Sequence, residues 1–201
     1  MYPSIPDEAT VLRGPFVTGL SDDEFFRFCQ ENDLARIERT ANHEILIMPP
    51  AGFESSYSCG QVYFQLALWH RQHRRGRTLE SSVGYLLPDG AVLSPDASWV
   101  SPERLATVTA AQLQKFPPLC PDFVIEGKSP SDRIPTLQAK MEQWLSNGVR
   151  LGFLIDTETE AAYVYAPGQP VHTVQGFDHE LSGEPVLPGF RLELKELRPQ
   201  S

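Results

Sequence analysis

An apolar run that ends in charge constrains this chain more than any other feature. Phe123-Val124-Ile125-Glu126-Gly127-Lys128 begins as a buried strand and finishes with a carboxylate and an ammonium. Side chains alternate faces along a strand, so Glu126 and Lys128 share one. Gly127 between them leaves room for another group to approach the backbone. Charges at the end of an apolar strand are costly unless they are paired or used. A Glu-x-Lys standing alone reads as a local ion pair.

Thirty residues earlier, Pro95-Asp96 opens another strand, Asp96 to Val100. Hydrolysis of a phosphodiester needs a divalent cation to stabilise charge and to lower the pKa of an attacking water. Mg²⁺ takes hard oxygens, commonly one or two carboxylates with water and substrate completing the shell. Asp96 and Glu126 supply such a pair. Lys128 would position the water or stabilise the charge that develops on phosphorus. Two strands adjacent in a sheet could present all three at one edge. A second Pro-Asp, Pro121-Asp122, precedes the same strand as Glu126. At strand rise, Asp122 lies about 13 Å from Glu126, too far to share its metal. It reads as a strand-start turn residue.

Around these segments the pattern is that of a mixed sheet with helices against it, in one domain. A chain of 201 residues, 41% hydrophobic and 21% charged, suits a single core. Residues 1–20 read as an irregular leader. Ser21-Asp22-Asp23-Glu24 forms a capping box for a helix through about Asn32. Strand-like runs Leu34–Arg39 and Glu44–Met48 flank a hairpin turn at Thr40–His43. A long helix capped by Ser55 or Ser56 runs to about Arg75, with Val62, Leu66 and Trp69 inward and Gly76 as its stop. Thr78–Leu87 reads as one strand and 102–115 as a polar helical stretch. A helix over 135–147 places Leu137, Met141, Trp144 and Leu145 in the core. Strands 151–155, 161–165, 171–174 and 190–194 close the fold.

Several classes of function are disfavoured. No apolar stretch approaches the roughly 18 residues of a membrane helix. Met1–Pro6 lacks the basic start of a secretory signal. Cys29, Cys59 and Cys120 are odd in number and far apart, which argues against disulfides and structural zinc and for a reducing cytoplasm. The five histidines show no metal-ligand spacing, and no nucleophile elbow or phosphate-binding glycine loop is present. The net charge of −9 weighs against nucleic acid. A bound cation would reverse the local field. One basic cluster, His70 to Arg77, reads first as a solvated helix end.

The ordered segments resemble the PD-(D/E)xK nuclease superfamily, and more specifically its restriction endonuclease-like branch abundant in cyanobacteria. The likeness rests on Glu44-Ile45-Leu46-Ile47-Met48-Pro49-Pro50, Gly84 to Gly90, Ser94 to Val100, Pro121 to Glu126, Ser129-Pro130-Ser131-Asp132, Lys140-Met141, and Gly148 to Asp156. It spans roughly residues 35–170. The resemblance implies a restriction endonuclease-like α/β core and Mg²⁺ or Mn²⁺ held by Asp96 and Glu126. It also implies DNA as substrate, and a homodimer if both strands of a duplex are cut together. It adds Glu44 as a possible third carboxylate. Lys140 is a helix lysine that can stand in where the lysine after the glutamate is missing, and here Lys128 makes it redundant. His43 stands where the family has a turn glycine, so a positive φ there would be strained. The alternative class is a catalytically silent nuclease-fold binding or interaction domain.

Overall fold

The computed structural model describes residues 9–33 and 35–198. The expected strand start at Leu34 and the segment Met1–Pro6 lie outside the described residues. In chain order the first elements are β1 (Thr10–Leu12), α1 (Pro15–Thr18), α2 (Asp22–Glu31), β2 (Arg36–Arg39), β3 (Ile45–Met48), α3 (Phe53–His73), β4 (Arg77–Glu80), β5 (Tyr85–Leu86) and β6 (Val92–Leu93). They are followed by β7 (Ala97–Val100), α4 (Pro102–Leu105), β8 (Phe123–Gly127), α5 (Ile134–Ser146), β9 (Leu151–Asp156), β10 (Ala161–Tyr165), β11 (His172–Gln175), β12 (Glu180–Ser182) and β13 (Arg191–Glu193). The fold is mixed α/β, as expected, and the chain divides into two compact units.

One unit comprises the described residues up to Pro50 with Ser82–Ser94 and Val108–Leu119. Its five-stranded sheet runs β1-β3-β2-β6-β5, with every pair antiparallel. The supposed leader is thus partly ordered, because β1 hydrogen-bonds along β3. α2 starts where the capping box predicts: Ser21 Oγ accepts the Glu24 N–H and Glu24 accepts the Ser21 N–H. The β2–β3 hairpin turns through His43 at φ 60. The left-handed backbone anticipated there is present, carried by a residue that pays more for it than glycine. Arg39 is buried, donates to Asp22 (2.5 Å) and to the Gly90 carbonyl (3.0 Å), and lies over the Phe25 ring. Arg36 and Glu38 share a face of β2 and hold both backbone groups of Ser94. Glu38 accepts its N–H at 3.0 Å and Arg36 donates to its carbonyl.

The other unit comprises Ala51–Ser81, Pro95–Thr107 and the segment from Cys120 onward. Its six-stranded sheet has the order β11-β10-β9-β8-β7-β4. Only β8 and β9 are parallel, and α5 is the crossover between them. α3 covers one face. Its Val62, Leu66 and Trp69 pack with Phe123, Ile125 and Phe153. α5 covers the opposite face, where Val124 and Glu126 point. The Met141 methyl occupies the space a side chain at Gly152 would need, 2.4 Å from that Cβ position.

Four expectations change. α3 begins at Phe53 behind Gly52, two residues before the serine caps, and leaves the helix through Arg74 in the left-handed region rather than at Gly76. Thr78–Leu87 is two strands, β4 and β5, belonging to different sheets, because Ser81 and Ser82 form a turn between them. The stretch 102–115 is helical only at α4 and at a 3-10 turn over Gln112–Gln114. It has no apolar period to bury along a helix. A β12–β13 hairpin adds a strand, Glu180–Ser182, that was not expected.

A surface ion pair ties the far edge of this sheet to the chain's end. Arg198 meets Glu160 in a forked pair at 2.7 and 2.9 Å, and Glu160 also accepts the Phe177 N–H. The Arg198 guanidinium holds the Glu160 carboxyl down at about 2. A depressed carboxyl stabilises the fold above its ordinary value of 4.5, and that contribution disappears as pH falls toward 2. Melting temperature followed from pH 5 to pH 2 should fall less steeply in Arg198→Met than in wild type. Parallel curves would remove this pair from the acid limb. The pair is solvent-exposed, so the difference should be small.

Candidate active site

Glu126 is the most enclosed of the candidate residues, with 2% of its surface exposed. It sits on the α5 face of β8. α5 is built to receive it: Leu137, Met141 and Trp144 form its buried stripe, and Lys140 precedes Trp144 by one turn. The Trp144 indole N–H donates to Glu126 Oε1 at 2.8 Å, and Lys140 Nζ lies 3.0 Å from the same oxygen. A buried carboxylate therefore receives one neutral and one charged donor, the condition under which its burial is tolerable.

Asp96, 7% exposed, enters from the neighbouring strand. β7 and β8 are antiparallel with Ala97 opposite Ile125, and Asp96 N donates to the Ile125 carbonyl at 3.0 Å just past the ladder. Asp96 Oδ2 accepts the Gly127 N–H at 2.7 Å. The same oxygen lies 3.4 Å from where a Gly127 side chain would begin, with Cys59 Sγ of α3 nearby at 3.7 Å. The group that approaches the backbone at Gly127 is thus the Asp96 carboxylate. The two acids flank the end of β8, Glu126 on the α5 side and Asp96 on the Cys59 side. A small open cleft there is lined by Ser55, Ser58 and Cys59 of α3, by Asp96, Gly127 and Lys128, and by Thr157.

Lys128 follows the strand end but turns to other partners. Its ammonium meets Glu158 at 2.6 Å and Asp156 at 3.8 Å. Glu158 is the main reason that Lys128 holds its proton more tightly than an ordinary lysine. Asp156 also accepts the Glu158 and Thr159 N–H groups and the Thr159 hydroxyl, which fixes the turn after β9. Glu44 belongs to the other compact unit and pairs with Arg13 at 2.6 Å. Among the described residues no three His, Cys, Asp or Glu side chains cluster to hold a metal ion.

The structure therefore brings Lys140 onto Glu126, and Asp96 onto the backbone beside it, while Lys128 pairs with the acids around the β9 turn. Trp144 was legible only as a core residue. Its spacing of four from Lys140 on one helix face is the signal that could have marked it as a second partner of the site. Asp122, read as a turn residue, is 2% exposed and anchors a separate network with Arg104, Arg150 and the Ser101 N–H.

Over residues 22–195 the sequence matches the Uma2 family, described as "Putative restriction endonuclease". The chain belongs to the Uma2 family. No curated protein matches it. Among solved structures, the Uma2 chain is similar to a protein of Anabaena variabilis described as "a putative nuclease belonging to DUF820". The TM-score is 0.72 at 19% identity, covering 89% of this chain and 97% of that one. That likeness establishes a shared fold, restriction endonuclease-like in its mixed sheet and flanking helices. No helix among the described residues of the Uma2 chain is long and apolar enough to cross a membrane.

Proposed function

We propose that this Uma2 chain is a metal-dependent endodeoxyribonuclease whose working residues are Asp96, Glu126 and Lys140. The observation that carries this reading is the Lys140 ammonium held 3.0 Å from a buried Glu126, beside an Asp96 carboxylate bound to the next peptide. Two buried carboxylates on neighbouring strands are the hard-oxygen donors that Mg²⁺ or Mn²⁺ accepts, so the donor chemistry fits. Asp96 and Glu126 would hold the cation, with water and a substrate phosphate completing its shell. When bound it supplies charge stabilisation and lowers the pKa of a water.

The chain's own groups supply the rest. Lys140 presents a fixed positive charge next to Glu126, to meet negative charge that grows on the phosphoryl oxygens. Trp144 holds the Glu126 carboxylate in orientation from within the core. Lys128, which the sequence places on the same strand face as Glu126, is assigned to the β9 turn instead. Glu44, engaged by Arg13, stays outside the set. Exposed Arg71, Arg74, Arg75 and Arg77 offer phosphate contacts on a chain of net charge −9. Cysteines not joined in disulfides at Cys29, Cys59 and Cys120 suit a reducing cytoplasm.

The test is cleavage of supercoiled plasmid and of single-stranded DNA with Mg²⁺ or Mn²⁺, by wild type and by Glu126→Gln. Cleavage that needs the metal and disappears in the variant is the expected result. In parallel, millimolar Mn²⁺ should raise the melting temperature of wild type and not of Asp96→Asn. A folded wild type that neither cuts any substrate nor responds to metal would leave a nuclease fold used for binding.

A further inference from the structure

We propose that the end of the six-stranded sheet opposite the candidate site is a separate anchoring surface for the phosphate backbone of duplex DNA, built from Arg71, Arg74, Arg75, Arg77 and Arg150. It rests on the nuclease reading only for the choice of DNA as the polyanion. The topology makes this cluster larger than the run His70 to Arg77 in the sequence. Arg77 opens β4 opposite Val100, Trp99 pairs with Phe123, and Phe123 pairs with Leu151, the residue after Arg150. Arg77 and Arg150 therefore stand at one sheet end, three strand spacings or about 14 Å apart. α3 runs into β4 through Arg74 and Arg75, so Arg71 in its last turn lies at the same end. All five arginines are exposed.

The turn that carries four of them is rigidly built. The Trp99 indole N–H donates to the Arg75 carbonyl at 2.9 Å, and His70 Nε2 lies 3.0 Å from the Gly76 carbonyl. A side chain at Gly76 would begin 2.2 Å from the Val100 carbonyl, so glycine is what lets this turn close on β7. Arg74, by contrast, holds φ 52 at the helix end, a position that glycine usually takes. The backbone pays there for a long cation. A solvated helix end accounts for Arg71. It does not account for Arg77 and Arg150, which enter from strands.

The charge is largely unspent. Glu103 meets Arg75 at 3.8 Å and buried Asp122 meets Arg150 at 3.5 Å. Among the described residues no acid pairs with Arg71, Arg74 or Arg77. Concentrating free guanidinium groups at one place on a chain of net charge −9 selects a polyanion there. Each planar fork matches two phosphate oxygens, and a 14 Å row spans about four base-pair steps. The surface is not part of the cleft. It lies about 13 Å from Asp96 along β7, and about 24 Å from Ser55 along α3 to Arg71. Backbone contacts at that distance supply affinity and placement, and carry no sequence information.

Fluorescence anisotropy of a labelled 20-bp duplex, with the full chain in EDTA, tests the surface without any cleavage. Wild type should bind at 50 mM NaCl and lose about 10²-fold in affinity by 200 mM, the slope of roughly four phosphate contacts. Arg71→Gln with Arg77→Gln should weaken binding at least about tenfold and lower the salt slope by about two, with unchanged circular dichroism. Removing the same charge elsewhere, with Arg191→Gln and Lys195→Gln, should leave affinity within about twofold. Equal losses in the two double variants would reduce the effect to net charge and overturn the proposal. So would a wild type that binds no duplex at about 100 µM protein. Displacement of the duplex by polyglutamate as readily as by unlabelled DNA would give the surface to an acidic protein instead. The nuclease reading fails separately: a chain that binds through these arginines but never cleaves DNA with Mg²⁺ or Mn²⁺ keeps the anchor and loses the enzyme.

Discussion

Lys140→Met should reduce metal-dependent cleavage by about 10²–10³-fold, the usual loss when one fixed electrostatic group is removed from a hydrolytic site. Lys128→Met should leave activity within about threefold of wild type, since its ammonium is engaged by Glu158 and Asp156 at the β9 turn rather than by Glu126. The contrast follows from where the two ammonium groups are. Lys140 Nζ is 3.0 Å from Glu126, whereas Lys128 Nζ is 2.6 Å from Glu158, whose side chain is 71% exposed. Methionine keeps most of the stem of either lysine, so the comparison isolates the charge. Removing Lys140 also takes a charged donor from a buried carboxylate, and some loss of stability should accompany the loss of activity. Rates must therefore be measured well below the melting temperature of each variant, with circular dichroism to show that it is folded. If Lys128→Met were the inactive variant and Lys140→Met the active one, the assignment would be reversed.

Arg104→Met should cost about 2–3 kcal/mol of stability without touching the candidate site. Breaking a buried ion pair from one side is worth roughly 3–5 kcal/mol, and the lower figure applies because other partners remain. Asp122 is buried, and Arg104 Nε lies 3.2 Å from it. The remaining guanidinium nitrogens donate to the carbonyls of Cys120 (2.5 Å), Pro121 (2.9 Å) and Gly148 (2.5 Å). One side chain thus joins the segment entering β8 to the segment entering β9. After substitution Asp122 keeps only the Ser101 N–H and the half-exposed Arg150 at 3.5 Å, and three carbonyls lose their donor. Lysine should not rescue, because a point charge cannot fill a planar fork. Urea unfolding with an unchanged slope and a lowered midpoint is the expected outcome. A midpoint within error of wild type would mean that water replaces the fork at no cost.

Much of this molecule can be read from local pattern. The capping box places the start of α2 because both of its hydrogen bonds lie within four residues. The β8–α5–β9 segment appears where apolar period and a terminal glycine put it, since each boundary is set by neighbours in the chain. His43 announces its left-handed turn by standing between two strands that must reverse. The same locality explains the failures. No pattern in Thr78–Leu87 says that its two halves join different sheets, and none in residues 9–20 says that β3 will accept β1 as a partner.

For the site, the sequence by itself determined the chemistry on offer. It supplied two carboxylates at the start and end of apolar strands, two lysines within reach, and a glycine where one acid had to pass. Only the tertiary structure decided which groups each of them meets. Lys128 and Lys140 are equivalent cations in a sequence, and alternation even favours Lys128. The choice between them was made when α5 packed across β8 and its Lys140–Trp144 turn landed on Glu126, while the β9 turn offered Lys128 two acids of its own. A pairing between residues brought together by helix docking depends on the packing of the whole sheet, and no spacing in the chain encodes it.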